Sequence, residues 1–119
     1  MSKIEGPVHL SIDIDGLDGS IVPATGTPVP GGLSYWQAVE TIESLFNAKK
    51  ATVISADVNE IVPQIDSPLT QFTAAMLATN IVANHINAKD QGRWTPMIQQ
   101  IGKNRTIGDS TFFQKEDLQ

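Results

Sequence analysis

The chain has 119 residues, 40% of them hydrophobic and 18% charged, with a formal net charge of −5. This length predicts one small domain with a modest core. The longest basic run is Lys49-Lys50, so we expect no nucleic-acid partner. No segment is apolar enough to span a membrane, and the N-terminus lacks the apolar core of a signal peptide. The chain has no cysteine to form disulfides or to act as a thiol nucleophile. Together, these features predict a soluble, cytoplasmic protein.

Apolar and polar residues alternate near the N-terminus, which predicts a β-strand over Val8–Ile14. The alternation ends in two carboxylates, Asp13 and Asp15. Residues two apart in a strand share a face and lie about 6–7 Å apart, so these carboxylates would repel each other. A bound cation would relieve that repulsion and makes the pair a candidate metal site. A solvent-facing turn is the alternative interpretation.

A long segment rich in glycine and proline, Gly16–Gly32, predicts a functional loop. The helix that follows has a clear start signal, because Ser34 can act as N-cap and Gln37 stands at the third helical position, forming a capping box. The apolar residues of this helix fall on one predicted buried stripe: Tyr35, Ala38, Val39, Ile42, Leu45 and Phe46.

A second strand and a second helix follow in the chain. The strand is predicted over Ala51–Ala56, and a turn over Pro63–Asp66. Ser67 is the predicted N-cap of the helix, with Pro68 at its first position, and the helix is expected to end near residues 87–90. Its predicted buried stripe is Leu69, Phe72, Thr73, Met76, Leu77, Asn80 and Ile81.

The order β–loop–α–β–α predicts a parallel strand pair joined by a right-handed crossover. Ligands of such sheets bind beyond the carboxyl ends of the strands, where Asp13, Asp15 and Glu60 are expected. Of the other polar residues, Asp18 is predicted to brace the loop by accepting hydrogen bonds, Asp57 to cap or brace a loop, and His9 to be a packed histidine.

The chain divides into three predicted parts. Residues 1–7 form an N-terminal lead, and residues 8–90 form the α/β region. Periodicity is lost from Gly92 onward, so residues 91–119 are predicted to be an irregular tail or an interface arm. The pair Phe112-Phe113 is a candidate anchor within it.

Two ordered segments resemble the second half of the ureohydrolases, the family of arginase, agmatinase and formiminoglutamase. They are Val8–Asp18 (VHLSIDIDGLD) and Pro23–Ser34 (PATGTPVPGGLS). Asp57–Pro63 resembles the later D-x-x-E-x-x-P segment of that family. Within the family, the sequence Gly-Thr-Pro-Val-Pro-Gly-Gly is most similar to arginase.

The resemblance implies an incomplete three-layer, parallel-sheet α/β fold of the arginase type, with two Mn²⁺ ions in the complete site. By position, Asp13 would bridge the ions, Asp15 would bind one of them, Thr27 would lie in the substrate loop and Glu60 would receive the guanidinium. These residue types suit the chemistry, since Mn²⁺ prefers carboxylate oxygens and a carboxylate pairs well with a guanidinium. No residue of the chain is assigned as catalytic.

The family's first half supplies a metal-binding His and an Asp-x-His-x-Asp motif, whereas this chain has only His9 and His85, neither in such a motif. We therefore expect a manganese-dependent ureohydrolase segment that is inactive alone. The complete enzyme would hydrolyse a guanidino C–N bond, in the nearest case converting arginine to ornithine and urea. Expected partners are a complementary N-terminal chain or further copies of itself. The alternatives are an inactive remnant with a structural or regulatory role, and a ureohydrolase for agmatine or another guanidino acid.

Overall fold

The computed structural model of the chain describes residues 3–63 and 68–94. The predicted order of strands and helices is confirmed, although both strands are longer than expected. β1 begins two residues before its predicted start, and β2 continues three residues beyond its predicted end. The elements are β1 (Gly6–Asp13), a 3₁₀ turn (Ile14–Gly16), α1 (Tyr35–Phe46), β2 (Ala51–Asn59) and α2 (Leu69–Asp90).

The two strands form the predicted parallel pair, from Gly6 opposite Ala51 to Asp13 opposite Asn59. The helices pack against each other and against β2. The hydrophobic core lies between this sheet and the helices, and its most deeply buried members include Ile14, Leu17, Val22, Ile42 and Leu77.

A β-bulge interrupts the pairing near the start of the sheet. Val8 pairs with Val53 but His9 pairs with Ser55, so Ile54 is an extra residue in β2. Because side chains alternate along a strand, the extra residue inverts the alternation. Val53 is buried in the core, whereas Ser55, two positions later, hydrogen-bonds to His9 on the opposite face.

Helix α1 forms as the sequence predicts. The backbone N–H of Gln37 donates to the Ser34 hydroxyl at 3.2 Å, and the backbone N–H of Ser34 donates to the Gln37 side chain at 2.9 Å, which completes the capping box. The predicted stripe is also confirmed, since five of its members are buried and Tyr35 packs against the core.

Helix α2 begins one residue later than predicted. Its first helical residue is Leu69, and the carbonyl of Pro68 accepts the first intrahelical bond, from the N–H of Phe72 at 3.0 Å. Accepting that bond is the role of an N-cap, so the assignment of Pro68 to the first helical position is wrong. Ser67 and most of the predicted turn over Pro63–Asp66 lie outside the described residues.

The predicted buried stripe of α2 is wrong in part. Thr73 and Leu77 are buried, but Leu69, Phe72 and Met76 are 44%, 67% and 55% exposed. The core-facing side also uses small residues that the stripe omitted: Thr70, Ala74 and Ala88. Apolar residues occur on all sides of α2, so their periodicity could not show which side faces the core.

Two residues of the predicted tail pack onto the domain. The indole N–H of Trp94 donates to the carbonyl of Val53 at 2.9 Å, and the guanidinium of Arg93 donates to the carbonyl of Phe46 at 2.7 Å. The rest of the tail, including Phe112 and Phe113, lies outside the described residues. Among the described helices, none is both long and apolar enough to cross a bilayer.

Gly32 lies where the long loop passes against the end of the 3₁₀ turn, and a Cβ there would be 2.4 Å from the backbone of Leu17. We expect Gly32→Ala to lower the melting temperature, because the clash separates the adjacent backbone pairing of Gly16 with Leu33. Overpacking of this kind typically destabilises by about 1–3 kcal/mol. Gly16→Ala is the matched control, since a Cβ there meets nothing within 4 Å. Equal melting temperatures for the two variants by circular dichroism would contradict this packing.

Candidate metal and substrate site

Asp13 and Asp15 lie beside each other at the carboxyl end of β1, but not in the way the alternation predicted. The strand ends at Asp13, and Asp15 belongs to the 3₁₀ turn over Ile14–Gly16. The expectation that both carboxylates project from one strand face is therefore wrong. A turn brings them together instead, because Ile14 leaves the strand to become one of the most buried side chains.

The carboxylates at this edge influence one another. The pKa of Asp13 is raised from its ordinary value, first because its surroundings withdraw the carboxyl from water, and further because Asp15 and Glu60 carry like charges nearby. Asp15 accepts a hydrogen bond from the hydroxyl of Thr27. Thr27, in the long loop, is thus tied to the proposed metal carboxylates.

Asp18 organises the loop that carries Thr27. Its carboxylate accepts hydrogen bonds from the backbone N–H of Ser20 at 2.9 Å, from the Ser20 hydroxyl, and from the backbone N–H of Gly31 at 2.7 Å. These bonds to Ser20 and Gly31 lower the pKa of Asp18. The prediction that Asp18 braces the loop is confirmed.

Glu60 follows β2 directly and has an unusual backbone. Its φ is +63°, the only positive value at a non-glycine residue within the described part of the chain. Its carbonyl accepts a hydrogen bond from the Thr25 hydroxyl at 2.7 Å, which holds this conformation. Its carboxylate lies against the backbone of Gly26, where a Cβ would be 3.5 Å from Oε2. Left-handed backbone at a non-glycine residue is most common at functional sites and turns.

The four residues predicted for the site therefore share one edge of the sheet. The pairing of Asp13 with Asn59 places the two strand ends side by side. Thr25, which holds the backbone of Glu60, and Thr70, whose buried hydroxyl accepts from the N–H of Ala24 at 2.8 Å, support the loop there. Sequence reasoning missed both threonines, since nothing in their local pattern distinguishes them from other loop or helix residues.

The donor set fits a manganese ion in kind but not in number. Carboxylate oxygens are ligands that Mn²⁺ prefers. In residues 3–63 and 68–94, however, no three His, Cys, Asp or Glu side chains are arranged to hold one ion. Asp13 and Asp15 could supply part of a coordination shell of six or so ligands, and the remainder would have to come from elsewhere.

A polar network on the sheet face away from the core was also missed. His9 was predicted to be packed, but half of its side chain is exposed, and its ring bonds to Ser55 at 2.7 Å and to Asp57 at 2.8 Å. Asp57 was predicted to cap or brace a loop, but it lies within β2 and also accepts from the hydroxyl of Ser11 at 2.8 Å and from Asn59. The bond from Ser11 is the main cause of its lowered pKa.

The sequence did carry a signal for this network. Polar residues alternate at positions 9 and 11 in one strand and at 55, 57 and 59 in the other. Only the bulge at Ile54 places the second set on the same face as the first, and a bulge cannot be located from one sequence.

Comparison with known proteins agrees with this geometry. The family model described as the arginase family matches residues 1–84. The chain belongs to the arginase family.

Individual relatives match a part of their length only. The N(1)-aminopropylagmatine ureohydrolase of Thermus thermophilus is 42% identical over 88 residues, which are 73% of this chain and 28% of that protein. The hepatic arginase of Aquarana catesbeiana is 48% identical over 63 residues, which are 53% of this chain and 19% of that protein. The matched part of the chain thus spans less than a third of the length of these relatives.

Solved structures give the same result. The crystal structure of a hypothetical agmatinase from Burkholderia thailandensis superposes with a TM-score of 0.65 at 38% identity, covering 73% of this chain and 27% of that one. The arginase of Bacillus caldovelox superposes with a TM-score of 0.56 at 39% identity, covering 64% of this chain and 25% of that one. The incomplete arginase-type α/β fold is confirmed.

The contribution of Asp18 to stability should depend on pH. Its pKa is lowered in the folded chain, so its contribution to stability is present above the ordinary value of 3.8 and is lost as the pH falls through the lower, folded value. Asp18→Asn should reduce the melting temperature at neutral pH and speed amide exchange at Ser20 and Gly31. The difference from the unmodified chain should shrink in strong acid. Glu40→Gln, on the exposed face of α1, is the control. A difference that does not depend on pH would contradict the role of the Asp18 charge.

Proposed function

We propose that this chain contributes the C-terminal part of a two-manganese ureohydrolase site. The observation that carries the proposal is the meeting of Asp13, Asp15 with its partner Thr27, and Glu60 at the carboxyl edge of one parallel strand pair in a chain of the arginase family. The reaction class is hydrolysis of a guanidino C–N bond with release of urea.

Each residue has a distinct proposed role. Asp13 would bridge the two ions, and Asp15, oriented by the Thr27 hydroxyl, would bind one of them. The chemistry that such ions would supply, when bound by these residues and the missing ligands, is a water acidified enough to act as hydroxide at neutral pH. The pKa of Asp13 is raised first by withdrawal of its carboxyl from water and then by the like charges of Asp15 and Glu60, and those charges support the assignment because they favour binding of a cation there.

Glu60 would receive the guanidinium group of the substrate. A carboxylate can accept two parallel, charge-assisted N–H bonds from a planar guanidinium. The backbone of Glu60 is left-handed, and its carbonyl accepts a hydrogen bond from the Thr25 hydroxyl. Both features support a fixed direction for the Glu60 side chain. Arginine and agmatine both carry the required group, and relatives named for activity on either kind of substrate are similar to this chain.

The site needs further ligands, so the active species would combine this chain with the part that its relatives have in addition. A non-catalytic role, as a structural or regulatory partner of a complete homologue, is the second candidate. It is favoured by the lack of a three-ligand group among the described residues. Reconstitution of the site distinguishes the two.

The first test uses the 119-residue chain alone with Mn²⁺. We expect weak binding by electron paramagnetic resonance and no urea release from arginine or agmatine, because two carboxylates cannot replace most of the ion's water ligands. Asp13→Asn should abolish the weak binding, whereas Glu60→Gln should leave it unchanged. Tight, stoichiometric binding by the isolated chain would show that it holds a complete site and would contradict the proposal.

The second test places the segment in a complete enzyme. In a chimera, this chain's matched residues replace the corresponding 88-residue segment of the Thermus thermophilus ureohydrolase. We expect manganese binding and urea release. Asp13→Ala should remove both together, whereas Glu60→Gln should retain both ions and weaken substrate capture by about 1.5–3 kcal/mol, the range for a hydrogen bond to a charged group.

Two results with this chimera would contradict the proposed roles. If Glu60→Gln removes manganese as Asp13→Ala does, the division into metal ligands and a substrate carboxylate is wrong. If the chimera folds and binds both ions but releases no urea from any guanidino substrate, the non-catalytic candidate is favoured.

A further inference from the structure

Helix α2 has a second apolar side that faces away from the core. In α1 the apolar residues other than the exposed Trp36 form one stripe on the core side, but in α2 they surround the helix. A helix that is apolar on all sides is normally buried on all sides. In the described structure, the outward side of α2 exposes large side chains, with Phe72 at 67% and Val82 at 56%.

The exposed residues form one continuous stripe along the helix. They recur at intervals of three and four residues, the spacing of a seam where two helices pack. All seven are apolar or small and carry no charge. The outward stripe consists of Phe72, Ala75, Met76, Thr79, Val82, Ala83 and Ile86.

Large and small side chains of the outward stripe are arranged symmetrically about Thr79. Phe72 and Ile86 are equally distant from it, as are Met76 and Val82, and Ala75 and Ala83. Each large residue therefore has a large counterpart, and each alanine has an alanine. A two-fold interface requires self-complementarity of this kind, because the same surface must face itself after rotation.

The centre of the outward stripe can be buried without leaving a polar group unpaired. The hydroxyl of Thr79 donates to the carbonyl of Ala75 within its own helix at 2.8 Å. A second helix that covers Thr79 would therefore meet a small surface whose hydrogen bond is already made, and would not incur the penalty for an unpaired buried donor.

The charges at the end of the helix favour an antiparallel arrangement. Lys89 and Asp90 are exposed in the last turn of α2, beyond the outward stripe. In a parallel pair in register, each would lie near its own copy with like charge. In an antiparallel pair centred on Thr79, they would lie near Leu69 and Pro68 of the other copy, and the helix dipoles would oppose favourably.

We propose that the outward stripe of α2 is a dimerisation surface, on which a second copy of this chain packs its own α2 in antiparallel orientation about a two-fold axis at Thr79. Phe72 of each copy packs against Ile86 of the other, and Met76 against Val82. This surface is separate from the carboxylate edge, and the inference does not depend on the proposed enzymatic function.

The area of the outward stripe determines how tightly the proposed dimer is expected to associate. Contact along a 22-residue helix, about 33 Å long and 10–12 Å wide, buries on the order of 400 Å² of each chain. The total is below the roughly 1,200 Å² of small stable interfaces, so the dimer should dissociate on dilution into the micromolar range.

Sedimentation equilibrium of the 119-residue chain tests the association. We expect a monomer–dimer equilibrium whose dissociation constant rises at least tenfold in Thr79→Arg, since the two introduced charges would meet on the axis. Thr41→Arg on α1 is the matched control, because Thr41 is also an exposed threonine whose hydroxyl donates to a carbonyl of its own helix, that of Gln37, at 2.8 Å. It should leave the dissociation constant within twofold of the original. Circular dichroism checks that both variants keep their helices.

Cysteine cross-linking tests the orientation, and the chain has no cysteine of its own to interfere. Thr79→Cys should oxidise to a covalent dimer, because the two sulfurs meet on the axis. Phe72→Cys and Ile86→Cys should cross-link efficiently when mixed and poorly when each is oxidised alone.

Three results would overturn the proposal. The first is a monomer at all concentrations. The second is a dimer that Thr79→Arg leaves intact and Ala78→Arg disrupts, which would place the contact in the groove that Ala78 lines between α2 and β2. The third is efficient cross-linking of Phe72→Cys with itself, which would mean a parallel pair.

Discussion

The parallel pairing of β1 with β2 determines where every proposed functional residue lies. Because both strands run in the same direction, their carboxyl ends meet at one edge, with Asp13 opposite Asn59. The 3₁₀ turn after one strand brings in Asp15, and the left-handed residue after the other is Glu60. The loop braced by Asp18 lies at this edge and places the Thr27 hydroxyl within hydrogen-bond distance of Asp15. If the pairing were lost, none of these residues would retain its neighbours.

Much of this arrangement could be predicted from the sequence, because its causes are local. The capping box at Ser34 and Gln37, the apolar stripe of α1 and the strand order each follow from short patterns. The motif order also identified the family. The errors occurred where the answer depends on distant parts of the chain. The turn at Ile14 is set by burial of that side chain, and the faces of α2 are set by what packs against them. No local pattern contains that information.

The two helices show how differently a short domain can use its apolar residues. α1 places its apolar residues on the core side except for the exposed Trp36. α2 has more apolar surface than this core can bury. The matched segments are 28% and 19% of the length of two relatives, so those proteins carry several times more chain than the segment that α2 belongs to. Within residues 3–63 and 68–94, the outward side of α2 is left in contact with water.

The bulge at Ile54 has a consequence for how this sequence can change during evolution. Deletion of the Ile54 codon would place Ser55 directly after Val53 and make the pairing with β1 regular, and the residues that follow would stay on their present faces. Deletion of Ala56 would instead turn either Ser55 or Asp57 toward the apolar core. Strand β2 should therefore tolerate loss of the bulge residue better than loss of a residue after it. A library of single-codon deletions would show this difference as folded protein for the Ile54 deletion and loss of folded protein for the Ala56 deletion.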